Sequence, residues 1–215
     1  MKKRVGIITF HAAYNYGSML QAYALQQTIS HMGISCEIIN FRSQRQKDMY
    51  RLDFAKGSVY ERTKRFLIQL PYVFALLNKQ RLFEDFVQGE LMLSRKEYST
   101  LEELQNADFS YDYYISGSDQ IWNDICIDFD WAYFLSFVKS GYKIAYAPSM
   151  GPIPEKFRKE NTKQLEVLLS NYNAISAREP RTAQYIESIT GKNIPSLIDP
   201  TLLLPIEIWE NLAAK

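Results

Sequence analysis

Six residues near the start, Val5-Gly6-Ile7-Ile8-Thr9-Phe10, form an apolar run without helical period. A run this short and this apolar reads as a strand buried on both faces, which only a parallel sheet covered by helices accommodates. The loop His11–Gly17 follows. After it Ala22, Leu25, Ile29 and Met32 recur at i, i+3, i+7 and i+10, and Gly33 supplies a C-terminal stop. Cys36–Phe41 is a second strand, so the first forty residues spell a right-handed strand–helix–strand unit. The pattern returns. Strands are predicted near 4–10, 36–41, 112–117, 143–148, 174–178 and 196–199, with Leu91–Ser94 a further short candidate. Helices are predicted over Pro154–Leu169 and from Pro180 to about Thr190, and Thr100-Leu101-Glu102-Glu103 fits a capping box opening a brief one. This alternation defines an α/β fold with a doubly wound, mainly parallel sheet, its first strand beside the Tyr113–Ser116 strand at a topological switch point.

One long interval breaks the alternation. Residues 42–58 are polar and basic, and Val59–Leu70 and Tyr72–Val87 read as helices separated or kinked at Pro71. This interval, about 42–90, is expected to lie outside the sheet as a flap or interaction surface, packing through Phe66, Leu70, Phe83 and Phe86. It is also electrically distinct. From Arg42 to Arg81 ten Lys/Arg face three Asp/Glu, a local +7, whereas Glu84 to Asp130 holds two Lys/Arg and twelve Asp/Glu, a local −10. The basic part is either a solvated face or an attraction for an anionic substrate or membrane surface.

The bulk properties narrow the class. With 47% hydrophobic and 23% charged residues, 215 residues can bury a sizeable core, and a net charge of +1 gives no global signal for nucleic acid. Two cysteines, Cys36 and Cys126, stand in no metal or redox spacing and suit a reducing compartment. The apolar run behind Met1-Lys2-Lys3-Arg4 is too short for a secretory signal, and no stretch approaches a membrane span. A cytoplasmic protein is expected, with contact to the inner face of a membrane left open. Leu202–Leu204 followed by a helix start reads as a bridge into a further domain, so the natural chain is expected to be longer.

Ligands in such sheets bind beyond the carboxyl ends of the strands. Four residues fall there: His11, Gly17 before the first helix, Asp119 and Arg178. In Ser116-Gly117-Ser118-Asp119, Gly117 lets the backbone turn while Ser118 and Asp119 place two oxygens at the strand exit; Trp122 offers a flat apolar face. An ordinary turn explains the same residues. Arg178 can hold a carboxylate or phosphate with its planar fork, or simply pair with Glu179. Asp119 is the nearest group to a general base. His31, in a helix's last turn, complements the helix dipole, and Asp199 before Pro200 caps or hinges. Neither a dinucleotide glycine fingerprint, nor a Walker loop, nor a metal-ligand cluster is present in the sequence.

Five blocks in order resemble the polysaccharide pyruvyl transferase family. They are Val5–Phe10 with His11-x-x-x-Asn15-Tyr16-Gly17-x-x-Leu20-Gln21-Ala22-Tyr23-Ala24-Leu25; Ile115–Asn123; Ala145–Gly151; Ser176-x-Arg178-Glu179; and Asp199–Leu204. The resemblance implies the N-terminal half of a glycosyltransferase-B-like, two-domain enzyme: a Rossmann-like domain over 1–200 with the insertion about 42–90, and 201–215 as the start of a linker to a missing C-terminal domain. That second half supplies further basic residues and a histidine, so the chain alone is expected to be inactive. The implied reaction moves the pyruvyl group of phosphoenolpyruvate onto a sugar diol as a ketal, with phosphoenolpyruvate as co-substrate and no cofactor. The acceptor is a polysaccharide or its precursor, free or lipid-linked. Asp119 and His11 are the implied catalytic residues. Arg178, Asn15, Gly17, Gly117, Ser118 and Ser149 are the implied substrate contacts. A nucleotide-sugar glycosyltransferase of the same architecture, or a non-catalytic half-protein binding a sugar or an anion, stays open.

Overall fold

The computed structural model describes residues 3–50 and 59–214, with backbone only for 59–71 and for Arg158. Five strands, β1 (Arg4–Ile8), β2 (Ser35–Ile38), β3 (Tyr113–Ser116), β4 (Tyr142–Ala145) and β5 (Ala174–Ile175), form one sheet in the order β2-β1-β3-β4-β5. Every pairing is parallel. β1 pairs with β3 through Val5–Tyr113 to Ile8–Ser116, so chain order reverses between them, as the Rossmann-like reading requires.

Side-chain alternation along β1 splits the core in two. Val5 and Ile7 face a cluster built on α1 (Tyr16–His31), while Ile8 faces the other side. A short α2 (Gln44–Tyr50) precedes the long α3 (Val59–Glu90), whose Phe83 and Val87 complete the first cluster, with Phe86 packed against it. Phe66 and Leu70 lie outside the described side chains. α3 is one unbroken helix, not two. Pro71 removes one amide donor from it, but the helix continues on both sides. On the opposite face lie α4 (Leu101–Gln105), α5 (Glu155–Ser170) and α6 (Pro180–Thr190), with α7 (Ile206–Ala213) returning to the α1 side through Trp209 and Tyr23. Thr100 caps α4 by accepting from Glu103 N–H at 3.1 Å, and the return bond reaches Ser99 N–H at 2.7 Å, one residue before the cap.

Three expectations need correction. The run near 196–199 is no sixth strand: only Ser196 bridges Ala177. Pro195 lacks an amide donor and Pro200 opens a 3₁₀ turn, so no ladder can lengthen there. Met32 lies past the end of α1 and is exposed, not on its buried face. Trp122 is no open platform. It is wholly buried, stacked on Phe134 with ring centres 4.5 Å apart and 8° between planes. Residues 119–141 cross from β3 to β4 without an α-helix. An aromatic layer, Trp122, Tyr133, Phe134 and Phe137 around a 3₁₀ turn (Trp131–Phe134), covers the sheet in its place.

Candidate active site

The exits of β3, β4 and β5 are laced together above the sheet edge. Gly117 follows β3 where a Cβ would lie 2.8 Å from Thr9 Cβ, so only glycine lets the two strand exits close this far. Thr9 Oγ1 then donates to Ser118 O at 2.8 Å, and Gln21 Nε2 donates to Thr9 Oγ1 at 3.0 Å. Ser118, fully buried, reaches Ala147 O at 3.0 Å and Asp199 Oδ2 at 3.4 Å through its hydroxyl. Ser149 N–H donates to Asp119 O at 2.8 Å, and Arg178 N–H to Pro148 O at 3.2 Å. Two non-glycine residues here hold left-handed backbone, Asp119 at φ 82° and Ala147 at φ 50°. Each costs on the order of 1–3 kcal/mol, tolerated where the surroundings over-determine it.

Asp119 Oδ1 accepts from Gln120 N–H at 2.8 Å, whereas its Oδ2 is buried with no hydrogen-bond partner among the described residues. Arg178 is half-buried. Its Nε donates to Glu179 at 2.9 Å and its Nη1 to Asp199 Oδ2 at 3.3 Å. Burial works against its charge. The bond to Glu179 and the negative fields of Glu179, Asp119 and Asp199 outweigh that, so its pKa rises. Asp199 also caps the following 3₁₀ turn through Thr201 N–H at 3.0 Å. It therefore both caps and pairs, a second role the sequence did not signal.

The remaining candidates sit elsewhere along the edge. His11 is buried on the β1–β2 side, with Nδ1 3.2 Å from Thr9 O and Nε2 3.0 Å from Asn40 Oδ1. Burial lowers its pKa despite the Asn40 contact, which keeps the ring neutral near pH 7. Thr9 is the link between this histidine and Ser118. Asn15 is exposed and caps α1, accepting from Ser18 N–H at 3.2 Å, with Gly17 exposed beside it. Gly117 is buried and acts through its missing side chain.

Sequence reasoning missed a second ionic group. Arg42 grips Glu84 with both terminal nitrogens, at 2.7 and 3.1 Å, and Tyr14 donates to the same carboxylate at 3.0 Å. Burial alone would raise the pKa of Glu84, but Arg42 and Tyr14 together hold it below the usual carboxylate value. Among the described residues no group of three or more His, Cys, Asp or Glu is placed to hold a metal ion.

Residues 15–215 match the model of the polysaccharide pyruvyl transferase family. The chain belongs to that family. No curated protein matches it. The matched span takes in Asn15, Gly17, Gly117, Ser118, Asp119, Ser149 and Arg178, while His11 precedes it. A polysaccharide pyruvyl transferase is a transferase acting on a saccharide acceptor. No helix among the described residues is long and apolar enough to cross a membrane.

Proposed function

We propose that this protein transfers the pyruvyl group of phosphoenolpyruvate to two hydroxyls of a saccharide, forming a cyclic ketal and releasing inorganic phosphate. The observation that carries the reading is the placement of Arg178 and Asp119 past the ends of β5 and β3 on one sheet edge, a half-buried guanidinium in the field of a carboxylate with one oxygen unpartnered among the described residues. A guanidinium suits the carboxylate or phosphate of the donor. An unpartnered carboxylate oxygen suits a hydroxyl that must give up its proton.

The chemistry balances without a cofactor. One sugar hydroxyl adds to C2 as C3 gains a proton, so the methylene becomes a methyl. The second hydroxyl then replaces phosphate on C2. Of the two hydroxyl protons, one is accounted for at C3 and the other leaves with phosphate. Asp119 is the base toward the attacking hydroxyl, and Arg178 steadies the charge that builds on the departing group. In this reading residues 1–200 are the N-terminal half, 201–215 lead toward a second half, and the complete natural product is the catalyst.

The test is phosphate release from phosphoenolpyruvate by the complete gene product, measured with and without a panel of sugar acceptors. Acceptor-dependent phosphate together with a new ketal methyl signal is the expected result. Release of a nucleoside diphosphate from nucleotide sugars, with no phosphate from phosphoenolpyruvate, would make it a glycosyltransferase instead.

A peripheral membrane placement is part of the same proposal and rests on α3. Tyr72, Phe74, Leu77 and Leu82 are exposed on it, next to the exposed cations Lys79 and Arg81. Apolar and cationic side chains together favour the interface of an anionic bilayer. The chain should co-sediment with vesicles containing phosphatidylglycerol and not with neutral phosphatidylcholine vesicles, and Phe74→Ser with Leu77→Ser should abolish this. Equal recovery with both vesicle types, or an unaffected double variant, refutes the placement.

A further inference from the structure

A second cleft opens beside the candidate active site, at the carboxyl ends of β1 and β2. It has a volume of about 320 Å³ and is lined by Ala12, Tyr14, Arg42, Gln46, Asp48 and Tyr50, among others. That is the lower end of the usual range for small-molecule sites, enough for one or two sugar rings. We infer that this cleft, between α2 and the loop after β1, is the subsite for the saccharide acceptor. The inference rests on the pyruvyl-transfer reading for the identity of the reaction, but the cleft's own chemistry selects the ligand class.

Charge selects first. The two cations among the described residues that line the cleft, Arg42 and Lys47, already have carboxylate partners. Arg42 is held by Glu84 and lies 3.6 Å from Glu97, and Lys47 meets Glu97 at 2.6 Å. Asp48 adds a further negative charge at the rim. Arg42 has both terminal nitrogens engaged by Glu84, whereas Arg178 commits only Nε and Nη1 among the described residues, so a phosphate or carboxylate is better served at Arg178 than in this cleft. A neutral polyhydroxyl molecule needs no free cation.

Hydrogen bonding selects next. Gln46 is 3% exposed, and its Nε2 donates to Asp128 Oδ2 at 3.4 Å, which turns Oε1 the other way. That oxygen, Oε1, is buried with no donor among the described residues. Leaving such a group unsatisfied is costly, and a sugar hydroxyl is the donor it lacks. Asp48, held by Gln44 Nε2 at 3.0 Å, offers further acceptor capacity at the exposed rim. The rings of Tyr14 and Tyr50, 4.3 Å apart and tilted by 43°, give the cleft an aromatic wall against which the C–H face of a pyranose can rest.

Position completes the argument. The partner of Gln46, Asp128, is a buried carboxylate whose pKa is raised by burial and further by the charge of Asp119. Asp128 and Asp119 lie on the same β3–β4 crossover, so the Gln46–Asp128 bond ties the cleft to the segment that carries Asp119. The reacting hydroxyls of a saccharide seated on Gln46 would approach the unpartnered oxygen of Asp119, with the donor anion on the Arg178 side.

The experiment uses the full chain and defined probes: methyl glycosides of galactose, glucose and mannose, and N-acetylmannosamine. Saturation-transfer NMR should detect at least one of them. Gln46→Leu and Asp48→Ala should each weaken that probe by about tenfold, a loss of roughly 1.4 kcal/mol. Asp48 is exposed, so its variant remains informative if burying a leucine at 46 disturbs folding. Affinity for phosphoenolpyruvate should not change in either variant. No transfer to any probe, or unchanged sugar affinity in Asp48→Ala, overturns the subsite. The two proposals fail separately. Acceptor-dependent phosphate release with an acceptor KM unmoved by either variant removes the cleft and leaves the reaction. Sugar binding that both variants weaken, with no phosphate released from phosphoenolpyruvate, keeps the cleft and removes the reaction.

Discussion

Arg178→Ala should lower kcat/KM for phosphoenolpyruvate by about 10²–10³, equivalent to roughly 2.7–4 kcal/mol of lost transition-state stabilisation. The side chain holds its planar end between Glu179 and Asp199, at 2.9 and 3.3 Å, so its geometry is set before any ligand arrives. Those same pairs make a structural role the competing account. Both carboxylates are partly exposed, at 40% and 26% of their side-chain surface, and ion pairs of that kind contribute about 0–1 kcal/mol. Denaturant midpoints should therefore move little while turnover collapses. Arg178→Lys should recover only part of the activity, because a point charge cannot reproduce a two-pronged contact. A variant that unfolds readily while its soluble fraction keeps full affinity for phosphoenolpyruvate would assign Arg178 to structure alone.

Trp122→Ala should be the most damaging single change to folding, at about 3–5 kcal/mol. The indole is fully buried, lies flat on Phe134, meets Tyr172 edge-on and donates from Nε1 to Tyr133 O at 3.0 Å. Ser116 Oγ donates to the same carbonyl at 2.7 Å, so the tryptophan helps fasten the aromatic layer to the end of β3. Its own amide donates to Ser149 O at 3.2 Å. Removing the ring leaves a cavity beneath the very turn that carries Asp119. Trp122→Phe should retain the stack and lose mainly the Nε1 bond, at about 1 kcal/mol. Urea unfolding of the three proteins decides it: an alanine variant within about 1 kcal/mol of the parent would mean that the layer collapses around the gap without cost.

These two residues also mark where sequence and structure part company. The sheet was legible because its strands are short apolar runs, the later ones closed by Gly117, Pro148 and Ser176, and because the β1–α1–β2 unit carries its own stop at Gly33. The crossover over 119–141 was not, since it fills a helix's place with aromatic packing that has no period to read. Trp122 stands in a strand-exit motif, and only its three-dimensional neighbours reveal that it faces inward. Arg178 and Asp119 were found because strand exits are marked locally. The Arg42–Glu84 grip was missed because a cation's neighbours in sequence do not name its partner 42 residues away. Part of the uneven charge is used inside the fold: Arg42 and Lys47, from the basic stretch, meet Glu84 and Glu97 from the acidic stretch that follows it.

Helix α3 has a mechanical consequence. Its 32 residues extend about 48 Å at 1.5 Å per residue, several times the length of any strand in the sheet. Among its described side chains the anchoring contacts cluster at Phe83, Glu84 and Val87, whereas residues 74–79 are exposed. Over its described side chains, 72–90, the helix is anchored at one end and exposed at the other. Gln80 holds the carbonyl of Tyr50 at 2.6 Å, and Glu84 holds Arg42 and Tyr14, so the anchor is built from the wall of the cleft itself. A load applied at the exposed end is delivered there as torque, on the side chains that shape the space for a sugar.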